Sequence, residues 1–219
     1  MKRPGPLITL IAGLLLGLFM LSLNATTGTK SVSSTAKKES PTATASPAPT
    51  KTSAPPSPSP SRTPVPDASY AGRTDDDSSA VAVTVDDGKA VAYFCDGRAK
   101  ESWLKGDVKD DGSMRLTGKN GDELNGTLKE GKRISGTVDV GGGHYAFSAD
   151  KAKKPSGLYR ATATVRGAKI DGGWIVLPGG KQVGIVTRDS VASAAPSIDP
   201  DTGAVTVDGQ QLTARPVTP

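Results

Sequence analysis

The chain has 219 residues with a net charge of +5, few aromatics (4%) and one cysteine. The charge is unevenly placed: residues 1–23 carry +2 and residues 24–68 carry +3, which leaves residues 69–219 neutral. A neutral folded part lacks the basic excess that binding a phosphate backbone requires, so a nucleic-acid partner is not expected. The lone Cys95 excludes an internal disulfide; it reads as a small buried apolar residue, with an intermolecular disulfide as the alternative.

Lys2 and Arg3 precede an uncharged, mostly apolar run from Leu7 to Leu23. Wound as a helix, that run reaches roughly 26 Å, enough for a bilayer core. Positive charges ahead of it keep the N-terminus in the cytoplasm and send the rest outside. Residues 1–23 are therefore expected to be a signal anchor, a single transmembrane helix whose residues 7–23 partner the cell membrane. The alternative is secretion after cleavage of a signal peptide, but the segment Leu23-Asn24-Ala25 is a poor small-x-small site. Both readings place the remainder outside the cytoplasm.

Residues 24–68 consist mostly of Thr, Ser, Ala, Pro and Lys, with Val32 and Val65 as the only large apolar residues. Such a segment buries too little surface to offset its ordering entropy, so a disordered stalk is expected. Its span would be roughly 35–40 Å as a flexible coil and about 140 Å as continuous polyproline II. That is a useful reach for a spacer crossing part of a cell wall.

Residues 69–219 read as an extracytoplasmic β domain. Ala80–Val85 and Lys89–Cys95 flank Asp86-Asp87-Gly88, a hairpin signature. The stretch 96–105 is ambiguous: Asp96 caps a single helical turn through Trp103, or the segment is a bent strand. Met114–Thr117 and Glu123–Leu128 flank a turn in which Asn120-Gly121 supplies positive φ angles. Arg133–Val140, His144–Ala149, Leu158–Val165, Lys169–Leu177 and Gln182–Arg188 continue the series, and Ala204–Val207 with Gln211–Ala214 flank Asp208-Gly209. The short spacing between turns predicts a mainly β fold, an antiparallel meander closed as a small barrel or packed as a sandwich. A compact up-and-down barrel completed by the last hairpin is preferred. The expected core centre is Tyr93, Phe94, Trp103, Leu104, Phe147, Leu158, Trp174, Ile175 and Val176. Leu124–Leu128 echoes Ile134–Val138, and Ala82–Asp86 echoes Ala204–Asp208, which predicts similar hairpins.

Val91-Ala-Tyr-Phe-Cys-Asp-Gly-Arg98, then Trp103-Leu104, Leu116-Thr-Gly118, Gly136-Thr-Val138, Phe147, Gly157-Leu-Tyr-Arg160 and Gly173-Trp-Ile-Val-Leu-Pro178 together resemble a set of uncharacterised exported or membrane-anchored actinobacterial proteins. The resemblance covers residues 79–187. It implies compartment and lineage, and no catalytic residues.

No motif marks catalysis. His144 is the only histidine, lies among alternating strand residues, and has no nucleophile elbow to serve; one histidine and one cysteine are also too few for a metal site. Asp75-Asp76-Asp77 and Asp199-Pro-Asp-Thr-Gly203 lack the spacing of a calcium loop and read as a solvated lead into the first strand and as a β-turn. Gly141-Gly-Gly143 and Gly172-Gly173 are followed by strands, not by a helix N-terminus, and read as tight turns, not phosphate loops. Lys151, Lys153 and Lys154 read as a solvated loop. Trp103, Trp174, Tyr145 and Tyr159 are the candidate ligand-binding residues, able to stack on sugars or peptides where exposed. The expectation is a membrane-anchored, non-catalytic binding or structural module of the cell envelope, with no cofactor and with wall polymer or an envelope protein as partner. The alternative is a barrel that binds a small ligand in its interior.

Overall fold

The computed structural model describes residues 65–219. The expected anchor (7–23) and nearly all of the expected stalk lie outside the described residues.

The described chain is mainly β. Eight strands form a closed antiparallel barrel in simple meander order: β1 (Ala68–Thr74), β2 (Ala80–Asp86), β3 (Lys89–Cys95), β4 (Glu101–Val108), β5 (Ser113–Thr117), β6 (Glu123–Lys129), β7 (Arg133–Val140) and β8 (Gly143–Lys151). Closure comes from β1 pairing with β8, Gly72 opposite Ala149. A second sheet has the order β12 (Val191–Ala194), β11 (Gln182–Arg188), β10 (Ala168–Val176), β9 (Gly157–Val165), β15 (Arg215–Pro216). A hairpin of β13 (Ala204–Val207) and β14 (Gln210–Thr213) completes the fold.

The hairpin turns follow local chemistry. Asp87-Gly88 and Asp208-Gly209 each place two successive residues at positive φ, the requirement of a two-residue turn that matches strand twist; Asn120-Gly121 does the same within the longer connection from Gly118 to Asp122. The two sequence echoes have different outcomes: the first marks two strands of one hairpin in place of two similar hairpins, and the second recurs in two separate hairpins. Leu124–Leu128 and Ile134–Val138 are antiparallel neighbours, with Gly126 opposite Gly136. Ala82–Asp86 and Ala204–Asp208 each lead into an Asp-Gly turn.

Three apolar clusters hold the molecule. Inward residues of all eight strands fill the barrel, among them Tyr70, Phe94, Leu104, Leu116, Leu124, Ile134 and Phe147. A second cluster lies between the sheet and the hairpin, around Trp174, Ile170, Val176, Val205 and Val207. The third joins the two bodies: Ala71, Ala82, Val91, Tyr93 and Cys95 on the outside of the barrel meet Leu158, Ile175, Leu177 and Ile185. Strands β2 and β3 are thus buried on both faces, whereas β5 and β6 alternate between buried and solvent-facing positions.

The structure differs from the sequence expectation in five respects. The stalk gives way to folded chain before residue 68, because Val65 packs against the barrel core and Asp67 accepts a hydrogen bond from the Asp87 amide at 2.9 Å. The last hairpin is not part of the barrel; β1 supplies the closing strand, and Val205 and Val207 turn their apolar sides to the second sheet instead. The triple Asp forms the β1–β2 turn, not a lead into the first strand. The stretch 96–105 is a turn and then a strand: Asp96 Oδ1 accepts from the amides of Arg98, Ala99 and Lys100, after which β4 begins. The expected core residues are all buried except Trp103, which is half-buried, and they are shared among three clusters instead of forming one centre.

Closing eight strands into so narrow a barrel bends neighbours close together. A Cβ added at Gly72 would lie 1.9 Å from the Ser148 carbonyl oxygen, and one at Gly136 would lie 2.0 Å from that of Asn125. Gly72→Ala is therefore expected to lower stability by about 1–3 kcal/mol, the usual range for overpacking. Urea unfolding measures this; Thr164→Ala, on an exposed strand position, should stay within about 0.5 kcal/mol of the parent.

Candidate functional site

Where the barrel wall meets the second sheet, the covering apolar contacts end and a polar corner begins. Tyr93 on β3 and Trp103 on β4 are register partners, with ring centroids 4.3 Å apart. Facing them, β9 and β10 place Arg160 opposite Gly173. The glycine seats the rings: a Cβ there would come within 2.6 Å of Tyr93 and 2.8 Å of Trp103. Arg160 grips Asp171 with two hydrogen bonds, at 2.9 Å and 2.5 Å, and its guanidinium lies 4.5 Å from the centre of the Trp103 ring. A fork-to-fork pair of this kind fixes the plane of the guanidinium as well as its charge. Tyr93 donates its hydroxyl proton to Glu101 Oε2 at 2.5 Å.

The corner perturbs its own titrations. Burial pushes the Tyr93 phenol well above its usual range, with Cys95 and Glu101 adding to the effect. Burial also raises Glu101; the negative charge of Asp171 acts in the same direction, against the Tyr93 hydrogen bond and the positive Arg160. Burial pushes the Cys95 thiol up to about 12, which leaves it protonated and unreactive near neutral pH and argues against an intermolecular disulfide.

Beside this corner, the barrel's far mouth carries an open bowl of about 690 Å³ lined by Lys100, Glu101, Asn120, Asp122, Asp139 and Gly142, among others. Its floor is a hydrogen-bonded plug. Ser102 donates to Asp122 Oδ2 at 2.6 Å, and the Gly141 amide donates to Asp122 Oδ1 at 3.2 Å. Lys100 donates to the Tyr145 hydroxyl at 2.8 Å. In the bowl wall, burial opposes ionisation of Asp96, but the three loop amides overcome it and hold the carboxyl below its usual range.

The four candidate aromatics are thus separated. Trp103 is half-buried at the corner. Tyr145 points into the barrel mouth, packed on Phe94 with ring centroids 5.0 Å apart. Trp174 is buried between sheet and hairpin, its indole N–H satisfied by the Pro196 carbonyl at 2.7 Å. Tyr159 is buried beside it, donating to the Pro155 carbonyl at 2.7 Å. Trp174 and Tyr159 therefore offer no free stacking face. Gly172-Gly173 is not a tight turn but lies mid-strand in β10, where Gly172 makes room for the Trp174 ring. His144 is exposed on β8 and hydrogen-bonds Asp139 at 2.6 Å. Among the described residues, no group of three or more His, Cys, Asp or Glu is placed to hold a metal ion, and no helix is long and apolar enough to cross a membrane.

Sequence reasoning passed over Glu101, Arg160 and Asp171. The available signal was the alternation Glu101-Ser-Trp103, which puts the carboxylate and the indole on one face of a strand. Compared with family models, curated proteins and solved structures, the chain matches none.

Two outcomes are expected. Because its folded pKa is raised, Glu101 contributes stability below the ordinary value of 4.5, and that contribution is lost as pH rises through the raised value. Melting curves across pH 4–7 should show a decline in the parent that Glu101→Gln removes. Cys95 should resist a thiol reagent in the folded protein and react at once in denaturant; labelling of the folded protein would contradict the buried position.

Proposed function

We propose that the protein is a non-catalytic binding module of the cell envelope, carried by residues 7–23 as a membrane anchor and by residues 24–64 as a spacer, with its β domain outside the cytoplasm. The observation that carries the binding reading is the filled barrel. Its interior is occupied by packed side chains. Val65 and Pro66 lie at one mouth, and the Asp122 and Lys100 hydrogen bonds close the other. Such packing favours recognition on the outer surface, where concave polar regions exist. The neutral charge of residues 69–219 favours an uncharged or mixed-charge partner over a polyanion.

Two measurements on the full chain test this. A C-terminal alkaline phosphatase fusion should be active, and it should remain with the membrane fraction; an inactive fusion would place the domain in the cytoplasm, and an active soluble one would show cleavage. The detergent-solubilised chain should co-sediment with isolated bacterial cell walls, and retention should survive high salt, unlike adhesion through the stalk's basic residues alone. No retention would remove wall binding and leave a protein partner.

A further inference from the structure

We propose that the barrel mouth nearest the spacer carries a basic patch that lays the domain against an anionic lipid surface. This goes beyond the binding module and rests only on its membrane anchor.

The chain outside the described residues joins the barrel at this mouth. Pro66 lies beside Gly131 in the β6–β7 turn, where an added Cβ would come within 3.2 Å of the proline ring. Tyr70 donates to the Gly131 carbonyl at 3.3 Å. The same turn meets the end of β8, where the Lys151 amide donates to the Lys132 carbonyl at 2.7 Å. The Ala152 amide then donates to the Ser69 carbonyl at 2.7 Å, and Lys153 and Lys154 follow. Lys129 and Arg133 are register partners at the base of the turn. Two connections distant in sequence thus bring these cations to one side of the mouth, and all are exposed.

Two carboxylates stand among them: Glu130, 3.2 Å from Lys132, and Asp150, bound to Arg133. Among the described residues, Lys129, Lys151, Lys153 and Lys154 form no ion pair. The other acids of this mouth, Asp67, Asp86, Asp87, Asp110 and Asp111, belong to the chain entry and to the β2–β3 and β4–β5 connections. The neutral total of residues 69–219 therefore averages a mouth that is basic on one side and acidic on the other.

Such a patch is drawn to a surface of negatively charged phosphodiester headgroups, each Lys or Arg adding attraction within a Debye length. Position selects lipid among polyanions. The proposed anchor (7–23) and spacer (24–64), which reaches roughly 35 Å as a coil, hold the domain at a high effective concentration over the leaflet. The mouth that the tether leaves is the one that carries the lysines. Docking by this side turns the bowl at the opposite mouth away from the membrane.

The test uses the full chain reconstituted in vesicles of phosphatidylcholine, alone or mixed with phosphatidylglycerol. Flotation reports the anchor. An impermeant amine reagent reports the patch, with the exposed Lys105 and Lys119, toward the opposite mouth, as references in the same molecules. The chain should float with both vesicles. On mixed vesicles Lys132, Lys151, Lys153 and Lys154 should react about tenfold more slowly than on neutral ones, and high salt should restore their reactivity. Lys153→Glu with Lys154→Glu should abolish the protection of Lys132 and Lys151, whereas Lys105→Glu with Lys119→Glu should preserve that of all four; melting curves establish that both variants fold. Equal reactivity on the two vesicles would overturn the docking and leave the anchor standing. Flotation with mixed vesicles only, with the four lysines protected, would support the patch and overturn the anchor; flotation with neither would overturn both. Protection on isolated walls but not on mixed vesicles would overturn the lipid in favour of a wall polyanion.

Discussion

The fold depends on one stretch of wall that is dry on both sides. On β2 and β3 the inward residues Val81, Val83, Ala92 and Phe94 pack in the barrel, while the outward residues Ala80, Ala82, Tyr93 and Cys95 pack beneath the second sheet. A strand whose two faces are buried cannot slip in register by one residue without exchanging its entire apolar set between two cores. This wall therefore fixes the barrel register and the seat of the second sheet together. The small side chains matter as much as the large ones: Ala71, Ala80 and Ala82 let the sheet approach closely, and Leu158, Ile175 and Ile185 fill the space they leave.

The polar corner exists because this dry contact stops. Beyond Tyr93 and Gly173 the facing residues are polar, and the groups at this margin are too near apolar surroundings to be left unpaired. Each finds a partner: Glu101 accepts a hydrogen bond from the Tyr93 hydroxyl, Asp171 accepts the arginine fork, and the guanidinium covers the indole. Among the described residues no buried side-chain nitrogen or oxygen lacks a hydrogen bond. The corner is therefore pre-arranged, and Trp103 is held in one orientation by Tyr93 on its own sheet and Arg160 on the other.

Much of the fold was legible because it is local. Asp87-Gly88, Asn120-Gly121 and Asp208-Gly209 announce turns through the φ angles they tolerate, whereas the Leu124 and Ile134 echo, which suggested two similar hairpins, belongs to two partner strands of one hairpin. The first strand was not legible. Ser69-Tyr-Ala-Gly-Arg-Thr74 has weak strand chemistry and follows a proline-rich segment; it becomes a strand because β8, far along the chain, completes its pairing. The run Ala80–Val85 did carry a signal that was read too simply. Continuous apolar character, in place of alternation, marks a strand covered on both faces, and with it a second layer outside the barrel. The corner was hidden for a different reason: Glu101, Arg160 and Asp171 come from β4, β9 and β10, and only the register of two sheets brings them together.

The glycines show how the same residue serves two unlike purposes here, and why composition alone could not separate them. At Gly88 and Gly209 the backbone needs a positive φ. At Gly72, Gly136 and Gly173 the conformation is an ordinary strand, and the constraint is the neighbour: a carbonyl oxygen for the first two, a pair of aromatic rings for the third. Removing the side chain at Gly173 is what allows Tyr93 and Trp103 to rise against β10, and Arg160, directly across the pair from Gly173, then covers the indole. The polar corner is thus built on an absent side chain, and the price of that arrangement is a strand position where no larger residue fits.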